Sequence, residues 1–331
     1  MKKFILAACV LMLSWDVQAQ SVKSFANFSQ YKHYFNPSLT GHEGSVIRSL
    51  YRNQWTGFED APKTIMASAE ISTSLFGRAS GDYQFRRDDR LGSGESMGAK
   101  HALGLVVLRD QFGPLKETQL ALSYGSGVRL SEELQLRWGV AFTFANQRLD
   151  ANSLVVDQPD DPQYTGVMAD NNSSSKGDIN LGLSLASANY YVGYAAQNVT
   201  GGRVLSSGYE VLENANKLRH QAQAGFRKSV SQQIGFTVNG IYHYMQDEKS
   251  VAEAQVKAVY NNMFWVGAGY RDDLAYNLAA GARLKQFHIG YAYEMPVQDA
   301  SAINKATNEI TLSYVLTPFK DTPHRRQLTI W

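Results

Sequence analysis

The sequence predicts an all-β protein: a transmembrane antiparallel β-barrel of about fourteen strands with a plugging segment at its amino end. Three observations carry this expectation. Seven short stretches alternate apolar residues with polar or small ones. The connections between strands alternate between short turns and long polar loops, as in barrels that cross an outer membrane. A leader precedes them, and the chain has no apolar run long enough to cross a bilayer as a helix.

Residues 1–19 read as a signal peptide. Lys2 and Lys3 give a positive start, and Phe4 to Leu13 follow as a ten-residue apolar run. Val17-Gln18-Ala19 then places small residues at the positions a signal peptidase needs, leaving Gln20 as the new amino terminus. Leu6-Ala7-Ala8-Cys9 also has the form of a lipoprotein cleavage box. Against that reading, few apolar residues precede it and the apolar run continues beyond it. Cys9 is the sole cysteine, so the processed chain has no disulfide, thiolate metal site or cysteine nucleophile.

Composition agrees with a barrel. The formal charge is +2, with 18 Tyr, 15 Phe and 27 Gly but 8 Pro. Such balance gives no reason to expect nucleic acid or a polyanion as partner. Aromatic girdles and tight turns account for the tyrosine and glycine. A mean hydropathy of −0.31 does not argue against a membrane barrel, where every second strand residue faces away from lipid.

Residues 20–45 precede the first strand. Phe25, Phe28, Tyr31, Tyr34 and Phe35 recur at roughly helical spacing, and Asn36-Pro37 breaks the helix. Two roles stand open: a short helix plugging the lumen, or a docking element for a partner. The barrel is expected over 46–317, with strands near 46–54, 64–75, 101–109, 117–129, 134–146, 178–186, 190–198, 220–229, 234–244, 251–260, 263–270, 275–283, 287–294 and 309–317. The clearest alternation sets Leu136, Trp138, Val140, Phe142 and Phe144 against Gln135, Arg137, Gly139, Ala141 and Thr143. The apolar set should face lipid and the other the lumen. Phe236-Val238-Tyr242-Tyr244, Phe287-Ile289-Tyr291-Tyr293 and Ile310-Leu312-Tyr314-Leu316 repeat the pattern. Leu103-Leu105-Val107, Leu181-Leu183-Leu185 and Tyr190-Val192-Tyr194 do so more weakly. A soluble β-sandwich would alternate too, but aromatic-rich faces on nearly every strand favour the barrel.

The turns predicted for the periplasmic end are short: 131–133, 187–189, 231–233, 261–262 and 285–286. Long outer loops fall at 147–177, 199–219 and 295–308. Residues 76–100, rich in Arg, Asp, Gly and Ser, break the rule: either a hairpin is missed there or this is a periplasmic feature. A tail, 318–331, runs past the last strand with Arg325, Arg326 and Trp331. It either docks a periplasmic protein or drapes over the barrel mouth.

Three segments carry more than architecture. Asn27-Phe28-Ser29-Gln30-Tyr31 is followed by Phe35-Asn36-Pro37-Ser38-Leu39-Thr40-Gly41. Tyr51-Arg52-Asn53-Gln54-Trp55-Thr56-Gly57-Phe58 is followed by Ala61-Pro62-Lys63-Thr64. Leu103-Gly104-Leu105 leads to Asp110 and Phe112-Gly113-Pro114. In this order and spacing they resemble the PorP/SprF family of type IX secretion system outer-membrane proteins, which belongs to the Bacteroidetes. The chain departs from the family pattern at Thr307-Asn308-Glu309-Ile310, where Ser-His-Glu-Ile is usual, and it lacks a Cys-Pro near the carboxy end. The resemblance implies a protein-secretion or gliding component. Its implied partners are periplasmic type IX components or a large surface adhesin with a C-terminal sorting domain.

The residues themselves suggest roles. Arg52 and Gln54 share a strand face and should join a lumenal network with carboxylates such as Glu70, because buried charges need partners. Trp55 and Phe58 suit the outer interface, and Gly57 and Ala61-Pro62 suit a turn. This motif, with Tyr51, Asn53 and Lys63, is read as structural, with substrate or partner contact as the alternative. Asp157, Asp160, Asp161, Asp170 and Asp178 match no calcium loop and read as a solvated outer loop. The seven histidines form no HExxH, and no GxSxG elbow occurs. No catalysis, metal or cofactor is expected. A passive outer-membrane porin is the alternative function.

Overall fold

The computed structural model describes residues 23–73, 75, 100–150, 173–208, 217–246, 248–297, 304–316, 328 and 330. Fourteen antiparallel strands form a closed ring. They are β1 Val46–Asn53, β2 Lys63–Ser72, β3 His101–Phe112, β4 Leu115–Arg129, β5 Gln135–Leu149, β6 Ser173–Ala186 and β7 Tyr190–Gln197. After the short β8, Leu205–Gly208, come β9 Arg219–Ser229, β10 Ile234–Met245, β11 Val251–Tyr260, β12 Phe264–Arg271, β13 Ala275–Leu284, β14 Phe287–Pro296 and β15 Thr307–Val315. Each strand of the ring pairs with its neighbours, and β1 against β15 closes it, with Val46 opposite Val315 and Asn53 opposite Asn308. The ring matches the strands expected from alternation. β8 was not expected; it sits outside the ring and pairs with the upper part of β6, Ser174 opposite Gly208. β6 itself begins five residues earlier than the alternation indicates.

Alternation works as the two-residue period requires. In β5, Trp138 and Phe142 face outward while Arg137 and Thr143 are buried inside. In β10, Phe236, Val238, Tyr242 and Tyr244 face outward and Thr237, Asn239 and His243 inward. The outward band is apolar and the interior is polar, the inverse of a soluble core. Among the described residues no helix is long and apolar enough to cross a membrane.

Turn chemistry supports the ladder. Asn261 and Asn262 adopt φ of 52° and 53° in the β11–β12 turn, the left-handed pair that tight hairpins require. The end of the barrel bearing the 130–134, 187–189, 230–233, 261–263 and 285–286 turns is the short-turn end, hence periplasmic. Both ends of the ring, Val46 and Val315, lie there. Residues 76–99 lie outside the described residues.

Candidate functional site

The segment before β1 runs along the inward faces of the strands. It is not one helix. Short turns at Phe28–Gln30, Lys32–Phe35 and Pro37–Leu39 are separated at Tyr31 and Asn36. Residues 25–29, 31–33 and 35–42 are buried. Phe25, Phe28, Tyr31 and Phe35 pack with inward Leu50, Met66, Val106, Leu108 and Ile241. This explains their spacing: the aromatics supply the apolar content of an otherwise polar interior.

Polar contacts fix the segment from one end to the other. Near the outer ends of β3 and β4, Lys23 Nζ meets Asp110 at 2.6 Å and Glu117 at 3.1 Å. The amides of Ala26 and Asn27 donate to the Glu309 carboxylate at 2.8 and 3.0 Å. Tyr31 donates to the Ser49 carbonyl, and Gln197 donates to the Tyr34 and Phe35 carbonyls. Asn36 Oδ1 accepts from the Ser38 amide and hydroxyl, capping the Pro37–Leu39 turn. Arg137 donates to the Ser38 and Thr40 carbonyls at 2.9 and 2.6 Å. Pro37 removes a donor where none is needed and lies against the wall at Gly139, where a Cβ would fall 2.2 Å from the Pro37 carbonyl oxygen. Gly139 is therefore a site of close backbone approach, and the space it leaves is taken by Pro37 and Ser38.

Two groups of buried ion pairs surround the segment. Arg48 bonds Glu70 and Glu43, and Lys32 meets Glu43 at 2.6 Å. Arg52 bonds Glu294 at 2.6 Å and Glu309 at 3.2 Å, while Arg271 bonds Glu253 and Glu294. Arg52 thus lies in a lumenal network as expected, but with different carboxylates. Ladder register explains the correction. Glu70 stands opposite Val46, beside Arg48, whereas Arg52 stands opposite Glu309 across the closing pair of strands. Gln54, with its amide oxygen turned to Arg52, accepts from Nε and Nη2 at 3.1 and 3.3 Å. Buried pairs of this sort hold geometry more than they add stability.

The rest of the motif builds the outer β1–β2 loop. Trp55, Gly57 and Asp60 have φ of 49°, 90° and 54°, so the loop turns sharply three times. It is tied on several sides: Gln54 N to Pro62 O at 2.9 Å, Thr56 N to Ala306 O at 2.8 Å, and Gly113 N to Asp60 O at 3.1 Å. Trp55 makes edge contacts with Phe58 and Phe112 at centroid distances of 6.3 and 5.7 Å. Tyr51, Asn53 and Lys63 lie on the outward face below it, away from the lumen.

Two features go beyond the sequence reading. Asp178, which that reading places both at the start of a strand and in a solvated loop, is inside β6. Its carboxylate accepts from the Thr200 amide and hydroxyl and from the Gly202 amide, holding the turn after β7. Leu328 and Ile330 are buried with Ala26, Val259, Trp265, Ala279 and Ala292, so these two residues lie in the lumen. Arg325, Arg326 and Trp331, and the acidic residues Asp157, Asp160, Asp161 and Asp170, lie outside the described residues.

A family model, type IX secretion system membrane protein PorP/SprF, matches residues 17–314. The chain belongs to the PorP/SprF family. Its members are membrane proteins of the type IX secretion system, and this barrel is an outer-membrane protein of that system. Solved structures similar to this PorP/SprF barrel include the outer membrane protein Omp33 of Acinetobacter baumannii, at 8% identity and TM-score 0.43 over 82% of this chain and 96% of that one. A FadL homologue of Pseudomonas aeruginosa matches at 8% identity and TM-score 0.43, over 85% and 93%. The monoaromatic hydrocarbon channel CymD matches at 10% identity and TM-score 0.43, over 81% and 86%. Comparison with curated proteins yields no match.

Proposed function

We propose that this PorP/SprF barrel is a closed, non-catalytic anchor of the type IX machinery. Residues 20–45 act as its plug. The periplasmic side engages secretion components, and the outer loops hold a surface adhesin with a C-terminal sorting domain. The motif Tyr51 to Lys63 sets the shape of the outer mouth for that task.

One observation supports this reading: the segment from Phe25 to Ser45 is buried against the inward strand faces and bonded to β2, β5, β7 and β15. A segment held in this way among paired charges suits attachment better than passage. The alternative, a passive porin, needs a continuous water path. Reconstitution of the purified barrel in planar bilayers tests the choice. An anchor gives no discrete conductance steps, and steady, uniform open steps from the wild type would overturn the proposal.

A further inference from the structure

We propose that the outer rim over β1 to β5 is a binding site for the phosphorylated headgroup of a glycolipid in the outer leaflet. Ladder register lines up Asn53, Lys63, Gln111, Lys116 and Arg148 as successive partners on five adjacent strands. All five side chains are on the outward face, since their neighbours Arg52, Thr64, Asp110 and Glu117 point inward. Arg109 faces outward in the next row, opposite Ile65 and Thr118. Adjacent strands lie about 4.8 Å apart, so the cations form one continuous basic surface.

Elsewhere on the outer rim, β10, β12 and β13 end in the outward tyrosines Tyr244, Tyr270 and Tyr276, uncharged rings suited to any interface. Below the basic row the wall is apolar, with Ile65, Leu105, Val107 and Leu120 facing outward. Acyl chains would lie on that wall and a headgroup at the row.

A cavity of about 220 Å³ opens where the row meets the tied β1–β2 loop, lined by Asn53, Phe58, Asp60, Lys63, Gln111 and Gly113. Asn53 Oδ1 is buried with no hydrogen-bond partner among the described residues. Lys63, Arg109 and Arg148 have no ion-pair partner among them either, while Lys116 pairs with Asp150 at 3.0 Å. Cations suit phosphate. Asp60 and the Asn53 oxygen suit sugar hydroxyls, which donate, so the chemistry fits a phosphosugar better than bare phosphate. The site is separate from the lumen and does not depend on the plug.

The test is native mass spectrometry of the detergent-purified protein after incubation with a bis-phosphorylated glucosamine-disaccharide lipid. We expect a retained one-to-one complex. Lys63→Gln/Arg109→Gln/Arg148→Gln should weaken retention roughly a hundredfold, taking the usual contribution of each surface cation near an anionic headgroup. Lys63→Arg/Arg109→Lys/Arg148→Lys should restore it. The dephosphorylated lipid should be retained weakly, and inorganic phosphate should not compete. Equal retention of the dephosphorylated lipid by the wild type would overturn the proposal, whether or not the triple glutamine variant folds. Undiminished retention by a folded triple glutamine variant would do the same. Full competition by inorganic phosphate would reduce the site to one for free anions and overturn the lipid assignment.

Discussion

Gly139→Ala should dislodge the amino-terminal segment from the wall of β5. A Cβ at this position would stand 2.2 Å from the Pro37 carbonyl oxygen, 2.3 Å from its carbon and 2.5 Å from the Ser38 nitrogen, where ordinary contact begins at 3.4 Å. All three are backbone atoms, so no side chain can swing aside, and the segment must retreat by about 1.2 Å, the difference between 3.4 and 2.2 Å. Such a shift breaks the bonds from Arg137 to the Ser38 and Thr40 carbonyls and the Ser38–Ser184 hydroxyl pair. Two of these are charge-assisted, so their loss costs about 4 kcal/mol at the low end. The assay pairs heat-dependent gel mobility with planar-bilayer conductance. The variant should unfold at lower temperature and show irregular openings that the wild type lacks. Gly240→Ala is the control, because the sole atom near its Cβ is 3.7 Å away. If Gly139→Ala matched the wild type in both readouts, the close approach would have no energetic meaning and the reasoning from a held segment would fail.

Other expectations follow from single contacts. Glu309→Ala removes the acceptor for the Ala26 and Asn27 amides and one partner of Arg52. It should lower stability by about 3–5 kcal/mol, seen as a lower unfolding temperature in detergent. Val107→Arg puts a charge on the lipid face, where Val107 is 41% exposed. It should cost about 2–4 kcal/mol near mid-membrane, measured by urea titration of folding into vesicles. Asp178→Ala releases the turn at Thr200–Gly202 and should speed trypsin cleavage after Arg203 about tenfold, the effect of one lost hydrogen bond's worth of protection. A uniform cleavage rate would show that the turn is held by other contacts.

The ring of strands is legible in sequence because each strand separates a lipid face from a lumen face. That requirement writes a period of two into residues such as Leu136 to Phe144. β8 carries no such signature: Leu205-Ser206-Ser207-Gly208 adds to the upper edge of β6 and separates no lipid face from a lumen face. The start of β6 is hidden for the same reason, since Ser173 to Gly177 lacks outward apolar residues.

The motif Tyr51 to Lys63 is conspicuous in composition, and its loop chemistry is readable from Gly57 and Pro62. Its partners are not. Arg52 finds Glu309 because the first and last strands meet, a contact separated by most of the chain and set by closure register alone. The aromatics of the amino-terminal segment have helical spacing without a helix. They are placed by the apolar patches they cover on β1, β2, β3 and β10, and Asn36-Pro37 allows the chain to turn where it meets Gly139 and Gly182. The placement of Leu328 and Ile330 in the lumen has no local signal, because it depends on a socket made by Val259, Trp265, Ala279 and Ala292 from four different strands.

The central claim is that this barrel works by holding partners. Affinity purification of the tagged protein from gently solubilised outer membranes, with mass spectrometry of what accompanies it, tests this most directly. The account predicts recovery of periplasmic type IX components, or of a large exported protein with a C-terminal sorting domain. Recovery of the barrel alone in good yield, together with steady conductance, would contradict it and make the protein a channel.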